Sequence, residues 1–104
     1  MTKAYIAGKI TGLTKEEYLR KFNKAKEEVQ GWGYKVLSPV EIVPEDLEYE
    51  DQMRICFALV DISDCIFMLE NWEESNGAIL EHLEAIKKGK RIYYLPLQGC
   101  EFGP

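Results

Sequence analysis

The chain has little of what binds metals or crosslinks a fold, with one histidine and three cysteines in 104 residues. Cys56, Cys65 and Cys100 are odd in number, fall in or near apolar segments and lack the paired spacing of a zinc site. They read as reduced packing thiols, and neither a metal nor a cofactor is expected. Long hydrophobic runs are also missing. No stretch approaches the ~18 apolar residues of a membrane span, and the opening "MTKAYIAGKITG" is too short an apolar run for a signal sequence. A soluble, cytoplasmic protein with no membrane partner is therefore expected. Positive charge is in deficit, 13 Lys and Arg against 18 Asp and Glu for a net charge of −5, which removes any general attraction to nucleic acid. A small molecule is the better partner. What the chain does have is 46% hydrophobic residues with 12% aromatics, enough for the core of a single domain over 1–104.

Apolar and turn signals alternate along that length. "KAYIA" (3–7) reads as a strand that stops at Gly8 and runs into the glycine-bounded turn "GKITGL". Thr14 and Glu17 have the spacing of a capping box, and Tyr18, Phe22, Ala25 and Val29 follow at helical spacing until Gly31 and Gly33. "YKVLSP" predicts a second strand stopped by Pro39, followed by a loop, "VEIVPED". A second helix follows, with the stripe Tyr49, Met53, Cys56, Phe57 and Val60. "DCIFML" (64–69) is nearly continuous in apolar residues, as a strand buried on both faces requires. A third helix over about Asn76 to Lys88, closed by Gly89, precedes a fourth strand, "RIYYL", and a tail ending "GCEFGP". The alternation predicts an α/β three-layer sandwich around a parallel sheet of four or five strands in the order 2-1-3-4. Ligands of such sheets bind at the carboxyl ends of the strands, which here carry "AGKITG" and "ENWEESNGAILE".

Within the third helix, the 100° periodicity centres Ile79, Leu83 and Ile86 on the apolar stripe, with Ala78 and Ala85 on one flank. Glu81 falls just beyond that flank. Two readings fit it: a boundary glutamate within reach of Lys88, or a carboxylate projecting into the crevice past alanines that give a ligand clearance. Periodicity does not choose between them. His82 falls inside the stripe and, without metal partners, reads first as a core histidine.

Four pieces, in order, carry a resemblance over almost the whole chain: "YIAGKITG", Phe22 and Ala25 leading to "GYKVLSP", "SDCIFMLENWEESNGA", and Glu81. Together they are similar to the small nucleoside 2-deoxyribosyltransferase-like family, which is related to deoxynucleoside monophosphate N-glycosidases. The resemblance implies an enzyme that cleaves or transfers the N-glycosidic bond of 2-deoxyribonucleosides or their 5′-monophosphates, with Glu81 as nucleophile. It places Tyr5 where the transferases have a tyrosine hydrogen-bonded to that glutamate; strand propensity alone also accounts for Tyr5. It implies a substrate-binding set of Ala7, Gly8, Lys9, Trp72, Ser75, Asn76 and Gly77. Trp72 either stacks on a base or covers the core edge.

Two positions depart from the transferase pattern. Eight residues before Asp64, where the transferases carry an aspartate that helps protonate the leaving base, stands Cys56. Six residues before Glu81, nucleoside-acting members have an aspartate and the monophosphate glycosidases a serine; here it is Ser75. Ser75 at a helix start, with Asn76 and Gly77, suits either an ordinary N-cap or an anion site. Lys9, where many relatives have proline, either adds a charge to such a site or is solvated. The alternative function is a catalytically weak or inactive nucleotide-binding protein. Relatives commonly complete their sites across a subunit interface, which implies a homodimer or larger homo-oligomer.

Overall fold

The computed structural model describes residues 1–97, so Cys100 and the "GCEFGP" tail lie outside the described residues. Four strands, β1 (Lys3–Ala7), β2 (Lys35–Leu37), β3 (Cys65–Met68) and β4 (Arg91–Tyr94), form one sheet in the order β2-β1-β3-β4. Every pairing is parallel, with Tyr5 opposite Leu37 on one side and Ile66 on the other. Asp64 accepts the Lys3 N–H at 2.7 Å and fixes the start of β3 against β1.

Strand alternation sorts the core into two layers. Ala4, Ile6, Cys65 and Phe67 face helix α1 (Lys15–Gly31), which contributes Phe22, Ala25 and Val29. Tyr5, Ala7, Ile66 and Met68 face the opposite way, toward α3 (Tyr49–Ile62) and α4 (Asn76–Lys87), which supply Cys56, Leu59, Val60, Ala78 and Ala85. Helices therefore cover both faces of the sheet. The Thr14–Glu17 capping box is complete in both directions at the start of α1. Gly89, at φ +69°, takes the left-handed conformation that closes α4. Among the described residues no helix is long and apolar enough to cross a membrane.

Three local expectations are corrected. Pro39 does not end in a loop: it occupies the first turn of a short helix, α2 (Pro39–Ile42), where a missing N–H costs nothing. The stripe of α3 runs through Cys56, Leu59 and Val60, while Tyr49 is 51% exposed. The third correction is the largest. The inward residues of α4 are Ala78, Glu81 and Ala85, and of the expected stripe Ile79 is half-buried while Leu83 and Ile86 turn outward, 54% and 55% exposed. Small side chains let the helix approach the sheet closely, and the larger apolar ones are left on the far side.

Candidate active site

The two loops at the carboxyl ends of β1 and β3 open onto a cavity of about 820 Å³, within the range of small-molecule sites. Its wall draws on Gly8 after β1, on Ser75, Asn76, Gly77, Ala78 and Glu81 of α4, and on Cys56 of α3. Each position has a local cause. Gly8 has no side chain because Leu69 stands where one would go, 2.4 Å from a Cβ built there. Gly77 faces the Tyr49 hydroxyl at 3.3 Å and the Met53 sulfur at 3.4 Å from the equivalent point, so α4 meets α3 closely at the cavity wall. Ser75 is the N-cap of α4, its Oγ accepting the Ala78 N–H at 3.2 Å.

Glu81 is only 5% exposed, and its Oε2 accepts a hydrogen bond from the Tyr5 hydroxyl. This follows from the two periodicities: Tyr5 points to the α4 side of the sheet because it alternates with Ala4 and Ile6, and Glu81 is three residues after Ala78 and four before Ala85 on the inward face. The expected alternative partner is engaged elsewhere, since Lys88 pairs with Asp61 at 3.3 Å. Cys56, 8% exposed, completes the group against both Tyr5 and Glu81.

Burial dominates the electrostatics of these three side chains. It raises the Glu81 carboxyl to about 7, partly opposed by the Tyr5 and Cys56 hydrogen-bond donors. Burial first, and the Glu81 charge second, hold the Tyr5 phenol protonated well above its ordinary range. The same two causes in the same order push the Cys56 thiol up to about 12. The result is a carboxylate poised near neutrality between two donors that keep their protons.

The remaining expected site residues divide. Ala7 is fully buried in the core below the cavity rather than on its wall. Lys9 does not line the cavity: its Nζ pairs with Glu74 at 3.2 Å and its N–H donates to Asn71 Oδ1 at 3.1 Å. Trp72 lies in a 3₁₀ turn, Trp72–Glu74, which directs its ring onto His82 with centroids 4.3 Å apart, away from the cavity wall. His82 is half-buried rather than central to the core, its Nε2 2.6 Å from the Tyr94 hydroxyl. Sequence reasoning missed Tyr18, Glu45, Tyr49 and Gln52, which complete the wall from the starts of α1 and α3 and the loop before α3. Only the tertiary fold gathers these, and no spacing signal announces them.

The Glu81 shift has a defined consequence for folding. Its folded value lies above the unfolded one of about 4.5, so the native state disfavours the ionised form. Stability is unaffected below that pH, falls as pH rises from about 4.5 to about 7, and levels off above, by a total on the order of 3 kcal/mol. Glu81→Gln cannot ionise and should lack this fall. Urea unfolding of both proteins at pH 5 and pH 8 measures it; parallel losses in the two would contradict the assignment.

Two solved structures resemble this fold over most of the chain. One is a 2-deoxyribosyltransferase from Bacillus psychrosaccharolyticus, at TM-score 0.71 and 21% identity, covering 89% of this chain and 71% of that one. The other is a 2-deoxyribosyltransferase from Leishmania mexicana, at TM-score 0.70 and 16% identity, covering 90% of this chain and 63% of that one. The chain thus has a nucleoside 2-deoxyribosyltransferase-like fold and spans under two thirds of the Leishmania protein. No curated protein matches it. The sequence model of one family matches residues 2–94, and on that match the chain belongs to the family described as a domain of unknown function, DUF4406.

Proposed function

We propose that this protein breaks the N-glycosidic bond of 2-deoxyribonucleosides, by transfer or hydrolysis, with Glu81 as the nucleophile. The observation that carries this reading is the position of Glu81: a buried carboxyl on the wall of a cavity at the carboxyl ends of the strands, held by a hydrogen bond from Tyr5. A glutamate fixed in this way has one orientation to offer. Its free oxygen attacks C1′, the C1′–N bond breaks, and the sugar is held as a glycosyl ester until water or a second base displaces it. Two displacements retain the anomeric configuration. Tyr5, neutral throughout, steadies the carboxylate before attack and again when it is released.

The charges around the cavity favour a nucleoside over its 5′-monophosphate. Lys15 is paired with Glu45 at 3.1 Å and Lys9 with Glu74 at 3.2 Å. No unpaired cation among the described residues therefore lines the cavity to meet a phosphate dianion. Ser75, Asn76 and Gly77 then serve the sugar and the helix cap rather than an anion.

The proposal extends to a homo-oligomer. Leu80, Leu83 and Ile86 form one exposed apolar face of α4, and Leu80 also reaches the cavity wall, so a second copy seated there would border the site. Leu83→Glu should shift the protein to monomer in sedimentation velocity; an unchanged sedimentation coefficient in the variant, or a native monomer, would refute this.

Free-base release from deoxynucleosides, followed chromatographically, tests the catalytic reading. Release should rise along a limb centred near pH 7, because only ionised Glu81 attacks. Glu81→Gln should lower it by at least ~10³-fold, and Tyr5→Phe by a smaller factor. Undiminished release in Glu81→Gln would refute the assignment.

A further inference from the structure

Among the described residues the proposed nucleophile has no free acid opposite it, and this narrows the substrate. When a neutral base leaves C1′ it carries away the bonding electron pair and develops negative charge, so a proton must reach it. The carboxyl groups on the cavity wall among the described residues are Glu45, Glu74 and Glu81. Glu45 and Glu74 are 67% exposed at the mouth and each holds a lysine ammonium. Glu81 is itself the attacking group. The remaining buried donors, Tyr5 and Cys56, keep their protons far above neutral pH.

Two further features favour positive charge in the ligand. With Lys15 matched by Glu45 and Lys9 by Glu74, ionised Glu81 is the one unbalanced charge on the wall, and it is negative. The rings of Tyr18 and Tyr49 also line it, and aromatic surface attracts delocalised cations. Glu81 meanwhile pairs with no lysine, arginine or histidine among the described residues, so only hydrogen bonds, and no cation, draw its carboxyl toward the ionised form in the resting site.

We infer that the preferred substrates are N-glycosides whose base is already cationic, such as N-alkylated purine or pyridinium deoxynucleosides. This rests on the reading of Glu81 as nucleophile and names the substrate class for it. A Glu81 oxygen bonds to C1′, the C1′–N bond breaks, and its electron pair returns to the positive ring, so the base departs neutral without a proton. Water then adds at C1′, the ester bond breaks to regenerate the carboxylate, and one proton passes to solvent. The bound cation also supplies the missing partner for Glu81, favouring the ionised nucleophile at the moment it is needed.

The experiment compares N7-methyl-2′-deoxyguanosine with 2′-deoxyguanosine on the native protein, on Glu81→Gln and on Cys56→Asp, the Glu81→Gln rate being subtracted as background. The cationic nucleoside should lose its base at least ~10²-fold faster than the neutral one, the scale of positioned acid catalysis. In Cys56→Asp, the ratio of cationic to neutral release should fall by at least ~10-fold, because an acid at that position serves only the base that needs a proton. The limb of kcat against pH for the cationic substrate should also lie below that of kcat/KM, since the bound cation lowers the Glu81 value; this readout needs only native protein. Glu81-dependent release from both nucleosides at similar rates would overturn the substrate class and leave the nucleophile standing. No Glu81-dependent release from either would overturn both.

Discussion

A carboxyl with 5% of its surface exposed and no cationic partner among the described residues is unfavourable to bury, and one phenol, Tyr5, makes Glu81 tolerable at its position. Much of the architecture follows from that contact. It requires a strand at the centre of the sheet whose alternate residues face two helix layers, so that Tyr5 looks toward α4 while Ala4 and Ile6 look toward α1. It requires α4 close enough for a glutamate to reach a strand tyrosine, which Ala78 and Ala85 permit. It also sets the chemistry, because a carboxyl raised by burial to about 7 is partly neutral at rest and gains nucleophilic character from whatever stabilises its charge.

Cys56 gives that contact its particular character. A thiol packs well on the inner face of α3 beside Leu59 and Val60, and burial with a neighbouring carboxylate keeps it protonated. An aspartate there would add acid catalysis but would also place a second carboxyl against Glu81, with the mutual repulsion of a carboxylate pair. Holding cysteine instead leaves Glu81 as the one buried carboxyl of the group. The polar groups at the mouth are arranged to match: Lys9 and Lys15 are each occupied by a glutamate, so neither is free to pair with Glu81.

The sequence made the layers and the strand order legible because they rest on strong local signals: the fully apolar β3, the Thr14–Glu17 box, and Gly89 after α4. It also brought Tyr5, Glu81 and Cys56 forward, through resemblance rather than periodicity. The face of α4 was misjudged for a physical reason. A hydrophobic stripe ordinarily marks the buried side, but here the close approach to the sheet selects alanines and the Tyr5–Glu81 bond selects a carboxyl, which leaves Leu83 and Ile86 outside. Of the two readings of Trp72, the structure matches the one at the core edge, where a single 3₁₀ turn carries its ring onto His82. Tyr18, Tyr49 and Gln52 were invisible as a group, since helix starts and loops far apart in sequence converge only in the folded chain.

The most direct measurement of the central claim is the mass of the protein quenched with acid during reaction with a deoxynucleoside bearing a good leaving base. A covalent glycosyl-enzyme predicts a gain of one deoxyribosyl group, mapped by peptide fragmentation to Glu81 and absent from Glu81→Gln. Base release that proceeds with no adduct at Glu81 and survives that substitution would contradict the account.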